Sequence, residues 1–129
     1  MTRVVGSIAP HGGQLVNRVL RGSLREAALE RAGSFPQVQL TQMAASDLEM
    51  IAVGAFSPLT GFMTQDDYDS VIDTMRLNSG LPWTIPVTLP VDDEVAANLQ
   101  ESQEIALVAG EHLMGIMTIA EKFRADKER

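Results

Sequence analysis

No cysteine occurs in the 129 residues, which excludes a disulfide framework, a thiolate zinc site and a cysteine nucleophile. The same absence fits a reducing compartment, and the cytoplasm is the expected location. Aromatic residues are scarce, one Trp, one Tyr and four Phe, and they are not interleaved with basic residues as a stacking platform for single-stranded nucleic acid requires. Cations are outnumbered too: ten Lys and Arg face seventeen Asp and Glu, for a net charge of −7. That balance repels phosphate backbones, so no nucleic-acid partner is expected. No apolar run approaches the roughly 20 residues of a membrane span, and the opening Met1-Thr2-Arg3-Val4-Val5-Gly6 has no apolar core of signal-peptide length. Neither export nor a membrane partner is expected.

What remains is enough for one domain. Apolar residues make up 45% of the chain, an ordinary share for a globular protein of this length, which can bury a single core unaided. Helix starts punctuate it. Ser23-Leu24-Arg25-Glu26 has the spacing of a capping box, predicting a helix near 24–32 that Gly33 ends in the left-handed conformation. Ser46-Asp47-Leu48-Glu49 repeats the pattern, and Leu48, Ile51 and Ala52 fall on one face of a short helix near 47–53 that stops at Gly54. Thr64 with Asp67 opens a third helix near 65–75, where Tyr68, Val71, Ile72 and Met75 form a stripe at i, i+3, i+4 and i+7. Asp92 caps a fourth, short helix through Leu99.

Strand signals sit toward the two ends. Val38–Met43 and a stretch near Gln14–Val19 are candidates, and Trp83–Leu89 reads as a strand weakened by Pro86. Glu104–Val108 and His112–Ala120, separated by Ala109-Gly110-Glu111, read as a β-hairpin. Strands near both ends with short helices between them, and no regular alternation, predict an α+β domain with a small β-barrel or bent mixed sheet rather than a doubly wound one. From Glu121 the chain turns to EKFRADKER, read as a solvated connector. The domain is therefore expected to occupy 1–120, with 121–129 beginning a link to something else.

Few residues advertise chemistry. His11-Gly12-Gly13 can offer backbone N–H groups and an imidazole to an anion, but no G-x-x-x-x-G-K-[ST] or G-x-G-x-x-G pattern accompanies it, and it reads as a tight turn. His112 has no partner at a metal-ligand spacing, so an ordinary strand-edge role is expected. Asp66, Asp67 and Asp69, like Asp92, Asp93 and Glu94, suit the first turns of helices, where the macrodipole favours negative charge, better than a Mg²⁺ site. Ser57 lacks an evident base and is no hydrolase nucleophile. It lies in Gly54-Ala55-Phe56-Ser57-Pro58-Leu59-Thr60-Gly61-Phe62-Met63, a Pro- and Gly-constrained apolar loop that either fills the core or docks against a neighbouring domain. Partial exposure is expected of it, with self-association as the symptom.

GAFSPLTGFM, followed by the helix holding Asp67-Tyr68 and Val71, resembles a signature stretch of ATP sulfurylases (sulfate adenylyltransferases). In the same order come Ile8-Ala9-Pro10-His11-Gly12-Gly13 with Leu15-Val16-Asn17-Arg18, then Met75-Arg76-Leu77, Gly80 and Trp83 through Leu89. Asp126-Lys127-Glu128 resembles the lead into that family's catalytic domain. The resemblance implies a PUA-like fold belonging to the enzyme's N-terminal region. It implies a parent enzyme that joins sulfate to the α-phosphate of Mg²⁺-bound ATP, releasing pyrophosphate, by positioning and charge stabilisation in an in-line displacement. The family's catalytic motifs, Q-x-R-N-P, H-x-x-H and G-R-D, are absent from these 129 residues. The expectation is accordingly no catalytic, cofactor-binding or metal-binding residue in this chain, Mg-ATP being needed only by the full enzyme. The expected partners are the catalytic domain of the same enzyme and, in the full protein, further copies of itself.

Overall fold

The computed structural model describes residues 11–124; Ile8-Ala9-Pro10 and Asp126-Lys127-Glu128 of the resemblance lie outside them. Four helices, α1 (Gly22–Ala32), α2 (Gln42–Ala52), α3 (Gln65–Thr74) and α4 (Asp93–Ala97), accompany three strands, β1 (Gln37–Gln39), β2 (Glu104–Ala109) and β3 (His112–Thr118). The sheet order is β1-β2-β3, with β1 parallel and β3 antiparallel to β2. This is the α+β arrangement expected from the pattern, in its open mixed-sheet form: the described strands do not close into a barrel.

The hairpin follows its sequence signal. Gly110 takes φ +62°, which an L side chain resists, and Gly110-Glu111 closes the two strands. The Gln39 side chain clasps that turn, donating from Nε2 to Gly110 O and accepting from Gly110 N, each at 3.2 Å. β2 is the spine of the sheet, with Ile105, Ala106, Leu107 and Val108 all buried.

Helix boundaries depart from the expectations where caps were misplaced. α2 starts at Gln42 because Thr41 Oγ1 accepts from Ala44 N at 3.1 Å. Ser46 therefore lies inside the helix, and the strand expected over Val38–Met43 shrinks to Gln37–Gln39. α1 begins at Gly22, so Ser23 falls in its first turn, and no side chain caps its N-terminus. Gly33 ends α1 in the right-handed region at φ −60°, with Ser34 N and Phe35 N closing onto Arg31 O and Ala32 O. α3 matches its stripe closely, and Met75 leaves it in the left-handed conformation. α4 is shorter than expected, ending at Ala97.

Trp83–Leu89 is no strand. Pro82, Pro86 and Pro90 remove a backbone donor at every fourth residue, and the donors left between them pair singly. Trp83 N reaches Met75 O at 2.8 Å, while Met63 N donates to Val87 O at 2.8 Å. Nor do Gln14–Val19 join the sheet; Arg18 N instead bonds Ala52 O at 2.9 Å.

Two apolar clusters hold the domain. Ile51, Leu59, Met63, Val71, Leu77 and Val87 form the first. Val38, Leu99, Ile105, Leu107 and Ile119 form the second, on one face of the sheet. Phe62 packs against both. Leu48 of α2 lies over Gly115 of β3, where an added Cβ would stand 3.5 Å from its Cδ2.

Candidate functional site

The residues singled out as candidates converge on the GAFSPLTGFM loop, and the structure spends their polar atoms on holding it. Ser57 is buried; its hydroxyl donates to Gly54 O at 2.6 Å and accepts from Val16 N at 2.9 Å. Both functions of the oxygen are thus engaged by backbone, which leaves no lone nucleophile. Gly54 sits at φ +87°, and a Cβ there would meet Val16 O at 2.5 Å and Leu15 Cδ1 at 2.7 Å. The segment around Leu15 and Val16 is laid directly across the loop, and only glycine admits it.

His11 stands on the same side of the molecule. Its Nε2 pairs with Pro82 O at 2.8 Å, and its ring lies 5.9 Å from that of Trp83. Phe56 meets Trp83 edge to face at 5.7 Å. Gly12, at φ +81°, turns the chain over Pro58, whose ring would be 3.2 Å from a Cβ at that position; the Ser57–Pro58 peptide is cis. His11-Gly12-Gly13 is therefore the tight turn expected, docked on the loop and on Trp83 by ring packing and one hydrogen bond to a carbonyl.

The loop's own apolar residues divide their work. Leu59 and Met63 are buried in the first cluster, whereas Phe56 and Phe62 pack against it half-buried. Of the two alternatives open from sequence, core filling accounts for Leu59 and Met63, and partial exposure is confined to the two phenylalanines.

The acidic residues also find structural tasks. Asp67 Oδ1 accepts from Asn78 N at 2.8 Å, tying the first turn of α3 to the turn that follows it. Thr64, the N-cap residue, makes no side-chain cap bond; the Glu121 carboxylate takes that place by accepting from Gln65 N, where the helix macrodipole welcomes an anion. Asp93 pairs with Arg124 at 3.3 Å on the open surface, a contact of little energetic weight. His112 is exposed at the head of β3, opposite Ala109. Among the described residues, no group of three or more His, Cys, Asp or Glu is placed to hold a metal ion.

Sequence reasoning missed the 121–124 segment as a structural part. It is largely exposed, as a solvated connector is, yet each residue has a task. Beside Glu121, Lys122 Nζ donates to Leu99 O at 2.6 Å and to Ala96 O at 3.0 Å, and Phe123 lies 5.5 Å from the Tyr68 ring. The only forewarning in the sequence was one aromatic residue among charges.

One titratable group stands apart. Burial lifts the Asp47 carboxyl above its ordinary value of 3.8, because a half-buried carboxylate loses hydration that its neutral form needs less.

These features define a small structural domain organised around a clamped apolar loop, and the chain belongs to the PUA-like domain family, whose family model matches residues 8–129. Its relatives are specific. It is 53% identical over 125 residues to the sulfate adenylyltransferase of Trichormus variabilis, a match covering 95% of this chain and 32% of that protein. It is 56% identical over 121 residues to the sulfate adenylyltransferase of Symbiobacterium thermophilum, covering 93% and 31%. A solved structure, the hexameric APS kinase from Thiobacillus denitrificans, superposes with a TM-score of 0.82 at 36% identity, over 95% of this chain and 24% of that one. The chain thus spans about a third of the length of the curated relatives it matches. The resemblance read from GAFSPLTGFM extends over nearly the whole chain.

Proposed function

We propose that this chain is the N-terminal, non-catalytic domain of a sulfate adenylyltransferase, and that its work is to pack against the enzyme's catalytic domain and support its assembly. The observation that carries this reading is the coverage: about half of the residues are identical to sulfate adenylyltransferases along almost all of this chain, but along only a third of theirs. The reaction, ATP and sulfate giving adenosine 5′-phosphosulfate and pyrophosphate, then belongs to the remaining two thirds, together with the Mg-ATP site.

The candidate side chains support the same division. Ser57, His11 and Asp67 are committed to internal hydrogen bonds, whereas phosphoryl chemistry needs cations converging on an open site. The hexameric title of the APS kinase neighbour supports a role in an oligomer. No helix among the described residues is long and apolar enough to cross a membrane, in keeping with work in the cytoplasm.

The test is binding in trans. This chain is mixed with the separately produced two thirds of the Symbiobacterium protein that the match leaves uncovered, and the mixture is run on a sizing column. Co-elution as one species is expected. Separate elution at tens of micromolar of each component would defeat the docking role.

A further inference from the structure

The outer edge of the sheet is left without the devices that normally protect one. β3 is hydrogen-bonded to β2 alone. Its interior, Leu113-Met114-Gly115-Ile116-Met117, contains no charge and no proline, the residues by which exposed edges are usually kept from pairing. The register irregularity lies at Leu107/Val108 of the inner strand. Leu113, Met114, Ile116 and Met117 are all half-buried, so both faces of β3 are apolar. That is the composition of a strand with a neighbour on each side.

The backbone polarity of the edge follows from the register. Ala106 N bonds Pro36 O and Leu40 N bonds Val108 O, so Ala106 and Val108 address β1. Successive residues address opposite sides, so Ile105 and Leu107 face β3, opposite Met117 and Gly115. Ile116 and Thr118 therefore aim their N–H and C=O groups outward, away from β2.

A groove of about 2340 Å³ has walls that include Leu113 through Thr118 and, from the stretch before and within α1, Leu20, Arg25 and Leu29. Small-molecule pockets reach only about 1,000 Å³, so its size suits a polypeptide segment. Leu24 and Leu29 of α1 are 68% and 42% exposed, while the helix buries only Ala28 and Ala32.

We propose that β3 is an interior strand of the complete protein's sheet. A β-strand from the rest of the same polypeptide, the two thirds that the curated relatives carry outside this match, pairs with Ile116 and Thr118 and seats alternate apolar side chains in the groove. This rests on the docking role proposed above. A strand of the same polypeptide is favoured over a second copy because a tether holds it at millimolar effective concentration, whereas a second copy must be recruited from solution.

Amide hydrogen exchange tests it. The complete Symbiobacterium protein and this chain alone are compared at the amides of Ile116 and Thr118 and their aligned positions, with Gly115 and Met117 as inner-edge references. The expected result is that the outer amides slow by about 100-fold or more in the complete protein while the inner ones are protected in both. Outer amides that exchange equally fast in both samples would overturn the added strand, and with co-elution intact would leave the docking role standing. Protection in this chain alone that rises with its concentration would assign the edge to a second copy. Protection that is independent of concentration would assign it to a segment of this chain. Either result overturns the proposal. Loss of inner-edge protection in the complete protein would overturn it as well.

Discussion

Replacing Gly54 by alanine imposes two separable costs. The first is conformational: at φ +87° an L side chain costs about 1–2 kcal/mol. The second is steric, since the new Cβ would stand 2.5 Å from Val16 O and 2.7 Å from Leu15 Cδ1. Val16 must move, and the bonds Val16 N to Ser57 Oγ and Arg18 N to Ala52 O are each worth about 0.5–1.5 kcal/mol. The total comes to about 2–5 kcal/mol, or roughly 8–20 °C in Tm at about 4 °C per kcal/mol for a domain of this size. Gly13→Ala supplies the control, because Gly13 has φ +90° with nothing within 4 Å of its would-be Cβ. It carries the conformational cost alone, about 1–2 kcal/mol. Urea and thermal unfolding of both variants, with m-values compared, measure the difference. If Gly54→Ala proves no more damaging than Gly13→Ala, the segment around Val16 is not clamped by the loop and the structural account of GAFSPLTGFM fails.

Ser57→Ala leaves Val16 N without its acceptor in a buried site, and is expected to cost about 1–3 kcal/mol in urea unfolding; in the reconstituted enzyme kcat should be unchanged, and a specific loss of kcat at full folding would restore Ser57 as a reacting group. Asp47→Asn is expected to stabilise at neutral pH. The folded carboxyl holds its proton more tightly than the unfolded one at 3.8, so the native carboxylate is penalised above the folded pKa, and that penalty fades as pH falls toward the unfolded value. Denaturation midpoints of the two proteins should therefore converge near pH 3.5 and separate by pH 7. A difference that stays constant with pH would refute the burial argument.

Local periodicity and turn chemistry carried the α3 stripe, the 104–118 hairpin and the α+β class into view, since these depend on neighbours in sequence. Caps were less legible. Ser46 and Thr41 both suit an N-cap by type, and Thr41 prevails because the residues after it, Gln42-Met43-Ala44-Ala45, extend the helix backwards at little cost. Trp83–Leu89 has strand-like residues, but its donors pair with Met75 and accept from nothing regular once the three prolines are placed. The structural service of Glu121 and Lys122 was hidden for a different reason. A charged residue that caps a distant helix end looks, in sequence, the same as one facing water. The candidate site was legible only as an apolar loop; that Ser57 and His11 serve as its fastenings depends on carbonyls of Gly54 and Pro82, which no side-chain pattern announces.

The most direct test of the central claim is sulfate-dependent pyrophosphate release from Mg-ATP, measured for this chain alone, for the separately made two thirds of the Symbiobacterium protein, and for the two combined. The account predicts no release by this chain and release by the combination well above that of the larger piece alone. Release by this chain alone would contradict the assignment of a non-catalytic domain, and equal rates with and without it would contradict its contribution to the enzyme.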